Sequence, residues 1–516
     1  MTARLPARLS VRRAAAFLSI ALATTAAAQQ GPLRGFDAYT TAAIKSWEAP
    51  GLAVAVIRND SVVLARGYGV RELGKSDPVT ANTIFAVGST TKAFTTALLG
   101  TLVDAGKLSW DDPVTKLYPG FQLYDPYVTR EITIRDLVTH RSGLSRGDRL
   151  WSGSGVPREE VIRRARFLKP TWSFRSTFGY QNLMFLTAGE IAGKLYGNGW
   201  DAAVAEKIFT PLGMTRTVTS VNALKGMDDV ATPHERIANV VTPVEWLNID
   251  NVGPAGSINS SVTDMAQWVR MQLGKGTYSG KKVLDPRTVK EMHTLQMHMS
   301  PSETEEKLYP ESHLNGYGLG WFLKDYRGLV LVSHGGAIRG MRAWVGLLPE
   351  KNLGVVVLTN LPETTLPQAI GMRVFDQHLT ATPKDWSALY LAESRAARER
   401  AAAEAQKTIA ARVPGTTPTL ALDKYAATYA DSMYGEIKIA KEGEGLALTF
   451  GPYFTGDLKH WHYDTFESVW RNKAQARGMI SFILDSRGQV TALDIPGLAT
   501  FGRVPGSGSV ASTSNP

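Results

Sequence analysis

The sequence predicts an α/β unit followed by a small all-β unit. The first has one sheet assembled from sequence-distant strands, with a helical domain inserted between them. Three observations carry this. Strand-like runs occupy 51–67 and return at 317–358, while about 107–310 reads mostly as helices and loops. Residues 393–412 then turn alanine-, arginine- and glutamate-rich, a solvated helix, and Pro414–Pro418 reads as a linker. Beyond it, short strands alternate with glycine-bearing turns, as in an antiparallel barrel or sandwich. At 516 residues the chain is also too long for one ordinary core.

Taken in order, residues 1–28 read as a signal peptide. Arg4, Arg8, Arg12 and Arg13 form a basic head, Ala14–Ala23 a short apolar run, and Ala26–Ala28 a small-residue cleavage site before Gln29. The run is too short and alanine-rich to anchor the chain, and no later stretch is apolar enough to cross a bilayer. The mature protein is therefore expected to be periplasmic or secreted, with no stable membrane span. Three alanines separate Arg12-Arg13 from Phe17, which leaves Sec and twin-arginine export both open. Without this peptide the net charge falls from +10 to +6, with 53 basic against 47 acidic residues. No basic cluster interleaved with aromatics points to nucleic acid. With no cysteine, the chain can use neither a thiol nor a cysteine-ligated metal.

Gly51–Ile57 and Ser61–Gly67 read as a hairpin around Asn59-Asp60. From Ser89 to Ala105, Phe94, Ala97, Leu98, Leu102 and Val103 fall at helical spacing, and Gly106 ends the run. Ser261–Asp264 is a capping box leading into Met265, Trp268 and Val269. Strands are predicted at Tyr317–Leu323, Leu329–Ser333, Arg342–Leu348 and Leu353–Leu358, the last two joined through Pro349–Asn352. In the C-terminal unit they fall at Tyr434–Ala440, Leu446–Phe450, Met479–Leu484 and Val490–Ile495, with Trp461 and Trp470 read as core. The division is thus 29–392, a linker at 393–418, a β domain at 419–505 and a disordered tail at 506–516.

The sharpest chemical feature is Ser89-Thr-Thr-Lys92 at the start of the predicted helix. A serine and lysine three apart share one helical face, so the amine reaches the hydroxyl. A helix N-terminus and partial burial both disfavour the ammonium, which lets Lys92 accept a proton. Serine is a weak nucleophile without such a base. Ser279-Gly-Lys-Lys282 matches the same spacing but sits in a glycine-rich loop. Gly143-Leu-Ser145-Arg-Gly147 has the letters of a nucleophile elbow but lacks the strand before and helix after it. His140 reads as a structural residue near a helix end, and His460 and His462 as surface residues without a third metal ligand.

Ser89-Thr-Thr-Lys92, Tyr180-Gln-Asn182 and His334-Gly-Gly336 resemble, in order, the three motifs of the serine β-lactamase and penicillin-binding protein superfamily. Ile132–Leu144, Pro211–Met214 and Gly253–Gly256 are similar to its connecting segments. The resemblance covers about residues 36–380. Tyr196-Gly-Asn198 also fits the second motif but follows its helix as a C-cap, and Ser257-Ile-Asn259 is less well placed than Tyr180. The resemblance implies a β-lactamase/transpeptidase-like antiparallel sheet with flanking helices, and a lipocalin-like or barrel appendage.

It also implies acyl transfer. Ser89 attacks a carbonyl with help from Lys92 and the Tyr180 phenol, and Asn182 orients Lys92 and the substrate amide. The backbone N–H groups of Ser89 and Ala337 hold the oxyanion, with His334, Gly335 and Gly336 on the substrate-binding strand. No cofactor or metal is implied. Many β-lactamases carry lysine where His334 stands. A histidine there would be largely neutral near pH 7 and would offer a substrate carboxylate less charge. This resembles the D-aminopeptidase-like (S12-like) peptidase branch. The expected function is an exported serine hydrolase of amide or ester bonds, acting on a small molecule or short peptide, possibly D-configured. The alternatives are a carboxylesterase, a β-lactamase, or a penicillin-binding sensor that acylates without turnover. Oligomeric state is not read from the sequence.

Overall fold

A computed structural model describes residues 31–362 and 364–507. The signal-peptide reading of 1–28 lies outside these residues, as does most of the expected tail. The first unit is built on an eight-stranded sheet. In spatial order its strands are Ser61–Gly69, Gly51–Arg58, Leu353–Thr359, Met341–Leu348, Leu329–Ile338, Phe322–Tyr326, Asn315–Tyr317 and Met297–His298. Every neighbouring pair is antiparallel. Asn59 and Asp60 both adopt positive φ, the pair of left-handed residues that a two-residue hairpin turn requires.

Alternation along Gly51–Arg58 shows how the sheet is covered. Leu52, Val54 and Val56 face one core with Trp47, Phe375 and Trp386, while Ala53, Ala55 and Ile57 face the other with Phe94, Leu98 and Val269. Helices therefore pack on both faces. Phe36–Trp47, Leu366–Leu379 and the start of Trp386–Ala410 lie on one side. Thr91–Asp104, Asn182–Tyr196 and Val262–Leu273 lie on the other. Thr91–Asp104 is buried on nearly all sides, as an apolar central helix must be.

Several predicted elements change in detail. The run Tyr317–Leu323 is the end of one strand, a turn through Gly318–Gly320, and the start of the next. His334–Gly336 stands within the Leu329–Ile338 strand rather than at its end. Only half of the Ser261 capping box forms: Ser261 accepts from the Asp264 N–H, but the Asp264 carboxylate is taken by Arg216 N and Thr217. The alanine-rich helix begins at Trp386, so residues 392 and 393 fall inside it. Trp386, Tyr390 and Leu391 tie its first turns to the sheet.

The C-terminal unit is a closed barrel of eight antiparallel strands running from Ala427–Asp431 to Ala499–Arg503, with Tyr429 paired to Arg503 at closure. Ala427–Asp431, Phe454–His462, Thr465–Trp470 and Ala499–Arg503 were not among the predicted strands. Tyr429, Ile437, Leu448, Phe466, Phe482 and Phe501 fill its centre. Trp461 and Trp470 are not core residues: both are half-buried, with Trp461 under the Arg412 guanidinium and Trp470 donating to Ala476 O. His460 and His462 each bond a backbone group, Tyr463 O and Val413 N–H.

Candidate active site

Ser89 lies in a single 3-10 turn, Gly88–Thr90, that runs directly into the central helix. This places Lys92 on the first helical turn below it, with Nζ 3.0 Å from Ser89 Oγ. The lysine is fully buried. Its remaining neighbours are both acceptors: Asn182 Oδ1 at 2.7 Å and the Ala255 carbonyl at 2.8 Å. Burial pushes its pKa well below the ordinary lysine value, opposed by Asp148 and reinforced by Arg146. A neutral amine has two N–H bonds and one lone pair. In that form Asn182 and Ala255 would take the two hydrogens and leave the lone pair for the Ser89 O–H, whereas an ammonium would donate to all three.

Tyr180, Gln181 and Asn182 are pinned as a unit. The Gln181 side chain caps the Asn182–Tyr196 helix by accepting from Leu183 N–H and donates to Ser145 O. Gln181 N–H donates to His140 Nδ1, and the His140 ring packs on Tyr180 with centroids 4.2 Å apart. His140 is thus structural, and what it supports is the site itself. Tyr180 and Ser89 line the same cavity, and burial pushes the phenol's pKa well above the ordinary tyrosine value. It therefore holds its proton at neutral pH.

The opposite wall is the Leu329–Ile338 strand. Two glycines let it approach the nucleophile's turn. A Cβ on Gly336 would lie 1.9 Å from Val87 O, and one on Gly88, at φ +53, 2.6 Å from Ala337 N. Ser89, Tyr180, Asn182, His334, Gly335, Gly336 and Ala337 all line one cavity of about 360 Å³, beside Trp151, Phe322 and Trp344. Lys92 sits behind it. The His334 imidazole does not present a titrating group to this cavity. Its Nε2 lies 2.9 Å from the Tyr317 hydroxyl, its Nδ1 2.7 Å from Gly335 O, and burial holds its pKa down to about 3. The ring is neutral near pH 7, as expected, and with both nitrogens occupied it stays so well below the range where an ordinary imidazole titrates.

Sequence reasoning missed Asp148, Arg146, Trp151 and Tyr317. Asp148 accepts from Asn182 Nδ2 at 2.9 Å and Trp151 Nε1 at 3.0 Å, and pairs with Arg146, whose guanidinium lies over the Tyr180 ring. These residues share one loop that rests on the barrel: Arg149 stacks on Phe454, and Met433 packs into the first unit's core near Gly147. No periodicity marks such a loop. The competing serines fall elsewhere. Ser279 is in the turn of an exposed two-residue hairpin, and Ser257 bonds Gly253 O. Ser145 lies in the same irregular loop, and Gly197 caps the helix after Tyr196.

A serine touching a buried amine at the head of a core helix, faced by the amides of a sheet strand, is an arrangement made for acyl transfer. Comparison with known proteins assigns the class: the beta-lactamase family pattern matches residues 36–379, and the chain belongs to that family of serine hydrolases. A second pattern, a domain of unknown function (DUF3471), matches 411–503, the region of the barrel. Among similar proteins is Unguisins hydrolase ungD of Aspergillus violaceofuscus, 29% identical over 79% of this chain and 76% of its own. Its counterpart ungD' from Aspergillus campestris is 30% identical over 77% and 76%. Penicillin-binding protein 4 of Amycolatopsis lactamdurans is 28% identical over 63% of this chain and 83% of its own. The octameric penicillin-binding protein homologue from Pyrococcus abyssi shares the fold, with TM-score 0.60 and 23% identity, over 90% of this chain and 99% of that one.

Proposed function

We propose that the protein hydrolyses amide or ester bonds of short peptides or similar small molecules through an acyl-enzyme on Ser89. The observation that carries this is the 3.0 Å contact between Ser89 Oγ and a buried Lys92 whose other partners are both acceptors. Ser89 Oγ bonds to the substrate carbonyl carbon as its proton passes to Lys92 Nζ. The resulting ammonium is held by Asn182 Oδ1 and Ala255 O, while backbone N–H groups of Ser89 and Ala337 receive the oxyanion. Tyr180 hands a proton to the leaving nitrogen or oxygen and is reprotonated from Lys92. Water then attacks the ester, giving its proton to the same pair, and Ser89 is released. Tyr180, held protonated, serves as the relay and Lys92 as the base.

A cleft of about 360 Å³ walled by Trp151, Phe322 and Trp344 suits a small, partly apolar substrate. The fungal relatives' names, hydrolases of unguisins, support hydrolysis as the outcome. The protein acts outside the cytoplasm after cleavage before Gln29, which N-terminal sequencing of the exported protein tests. The enzymatic test is a panel of p-nitrophenyl esters, D- and L-aminoacyl p-nitroanilides and nitrocefin, with fluorophosphonate labelling. Ser89→Ala should abolish turnover and labelling while Ser145→Ala and Ser279→Ala leave both nearly intact. Labelling that survives Ser89→Ala and vanishes in Ser145→Ala overturns the assignment. Acylation without release throughout the panel makes the protein a sensor instead.

A further inference from the structure

We infer that Met433, at the tip of the barrel's first hairpin, is a positioning residue for the hydrolase: it holds the loop through which Asp148 reaches Asn182. This rests on the Ser89 reading above, because Asn182 in turn bonds Lys92. The hairpin joins Ala427–Asp431 to Gly435–Glu442. The barrel has its own core, yet Met433 belongs to that of the first unit, where it is buried. The tip is tied on both sides. Asp431 Oδ1 accepts from the N–H groups of Met433 and Tyr434, both at 2.8 Å. From the hydrolase, Arg164 Nη1 donates to Met433 O at 3.5 Å.

Met433 ends where two functional backbones converge. A Cβ built on Gly147 would lie 3.0 Å from Met433 Cε and 3.6 Å from Leu183 Cδ1. Gly147, at φ +61, is followed by Asp148, and Leu183 is preceded by Asn182. These are the two residues joined by the 2.9 Å Asp148–Asn182 bond, and Asn182 Oδ1 lies 2.7 Å from Lys92 Nζ. The hydrolase itself ties the loop at Ser145, whose carbonyl accepts from Gln181, and at Leu150, which is buried in the core. Between these points the barrel contacts flank Asp148: Met433 at Gly147 and Phe454 under Arg149. Cutting Met433 back to Cβ would leave Gly147 beside a void, and glycine has the backbone freedom to move into it. Asp148 then shifts with it, at the expense of the bonds that Asn182 Nδ2 and Trp151 Nε1 both make to its Oδ1.

The test uses the full chain. Because the Trp151 indole N–H donates to the same oxygen as Asn182, its ¹⁵N resonance reports the loop without turnover, and Trp151→Phe assigns it. Met433→Ala should shift that resonance and lower kcat/KM for a p-nitrophenyl ester about tenfold. Met433→Leu, close in volume, should recover most of both. In an Asp148→Ala background Met433→Ala should cost less than about twofold, since the group it positions is gone. Leu493→Val, in the barrel's own core, controls for general weakening and should leave the resonance in place. If Met433→Ala does not fold, Met433→Val makes the same comparison with a smaller void. Equal losses with and without Asp148, or a resonance moved as far by Leu493→Val, would make Met433 merely structural and overturn the inference. An unmoved resonance would overturn it too. An error in the Ser89 reading would show separately, as labelling that does not depend on Ser89, and would leave the resonance shift standing.

Discussion

Asp148 and Arg146 should move the acid limb of activity in opposite directions. Activity requires neutral Lys92, so kcat/KM falls as pH drops through the lysine's pKa in the free enzyme. Asp148 stabilises the ammonium and Arg146 opposes it. Asp148 reaches Lys92 through one amide, with contacts of 2.9 and 2.7 Å at its two ends. That separates the charges by about 7 Å, where Coulomb's law gives roughly 2.4 kcal/mol at an effective dielectric of about 20. Asp148 is a quarter exposed and already paired with Arg146, so solvent and the opposite charge reduce the interaction. About 1 kcal/mol should remain, somewhat under one pH unit. Asp148→Asn keeps an acceptor for Asn182 Nδ2 and removes only charge. Its Lys92 pKa falls, the amine stays neutral to lower pH, and the acid limb moves down by about 0.5–1 unit. Arg146→Gln should move the limb up, and by less, because that side chain is 61% exposed. The assay is kcat/KM for a neutral p-nitrophenyl ester against pH at constant ionic strength. A limb that stays fixed or rises in Asp148→Asn, or shifts of the same sign in both variants, would refute Lys92 as the titrating base.

Lys92→Ala and Tyr180→Phe should each lower kcat by on the order of 10², and together by less than the product, because they pass one proton between them. Wild-type rates in Tyr180→Phe would leave Lys92 without its relay. Gly336→Ala should cost at least about 10² in kcat/KM, since the strand must retreat from the turn that carries Ser89. Gly335→Ala, whose nearest neighbour to a new Cβ is 3.8 Å away, should be far milder. The reverse order would show that the close approach at Gly336 does not shape the site.

What the sequence discloses here follows the range of each interaction. Ser89 and Lys92 are legible because one helical turn joins them. Tyr180 and Asn182 are legible through the resemblance of Tyr180-Gln-Asn182 to the family's second motif, at the head of a helix capped by Gly197. The sheet was visible as apolar runs, though its turn at Gly318–Gly320 was hidden within one of them. Asp148, Trp151 and Arg146 carry no such mark, because an irregular loop brings them to the cleft and the barrel supports it. His334 was found by motif and its neutrality near pH 7 was expected, but not how firmly that neutrality is held. Whether an imidazole titrates depends on burial and on a tyrosine from another strand, neither of which is written beside it. Half of the barrel's strands were missed for a related reason. Phe454–His462 begins by alternating buried Phe454, Gly456 and Leu458 with Thr455, Asp457 and Lys459, then loses the pattern at His460–His462, and it becomes informative only once closure decides which side is inside.

The order of strands has a consequence for the protein's synthesis. Gly51–Arg58 pairs directly with Leu353–Thr359, and Ser89 meets an amide contributed by Ala337, about 250 residues later in the chain. No growing or truncated chain that stops short of this last strand can bring Ala337 beside Ser89 through this sheet. The two walls of the cleft therefore meet only when the sheet closes around its late strands.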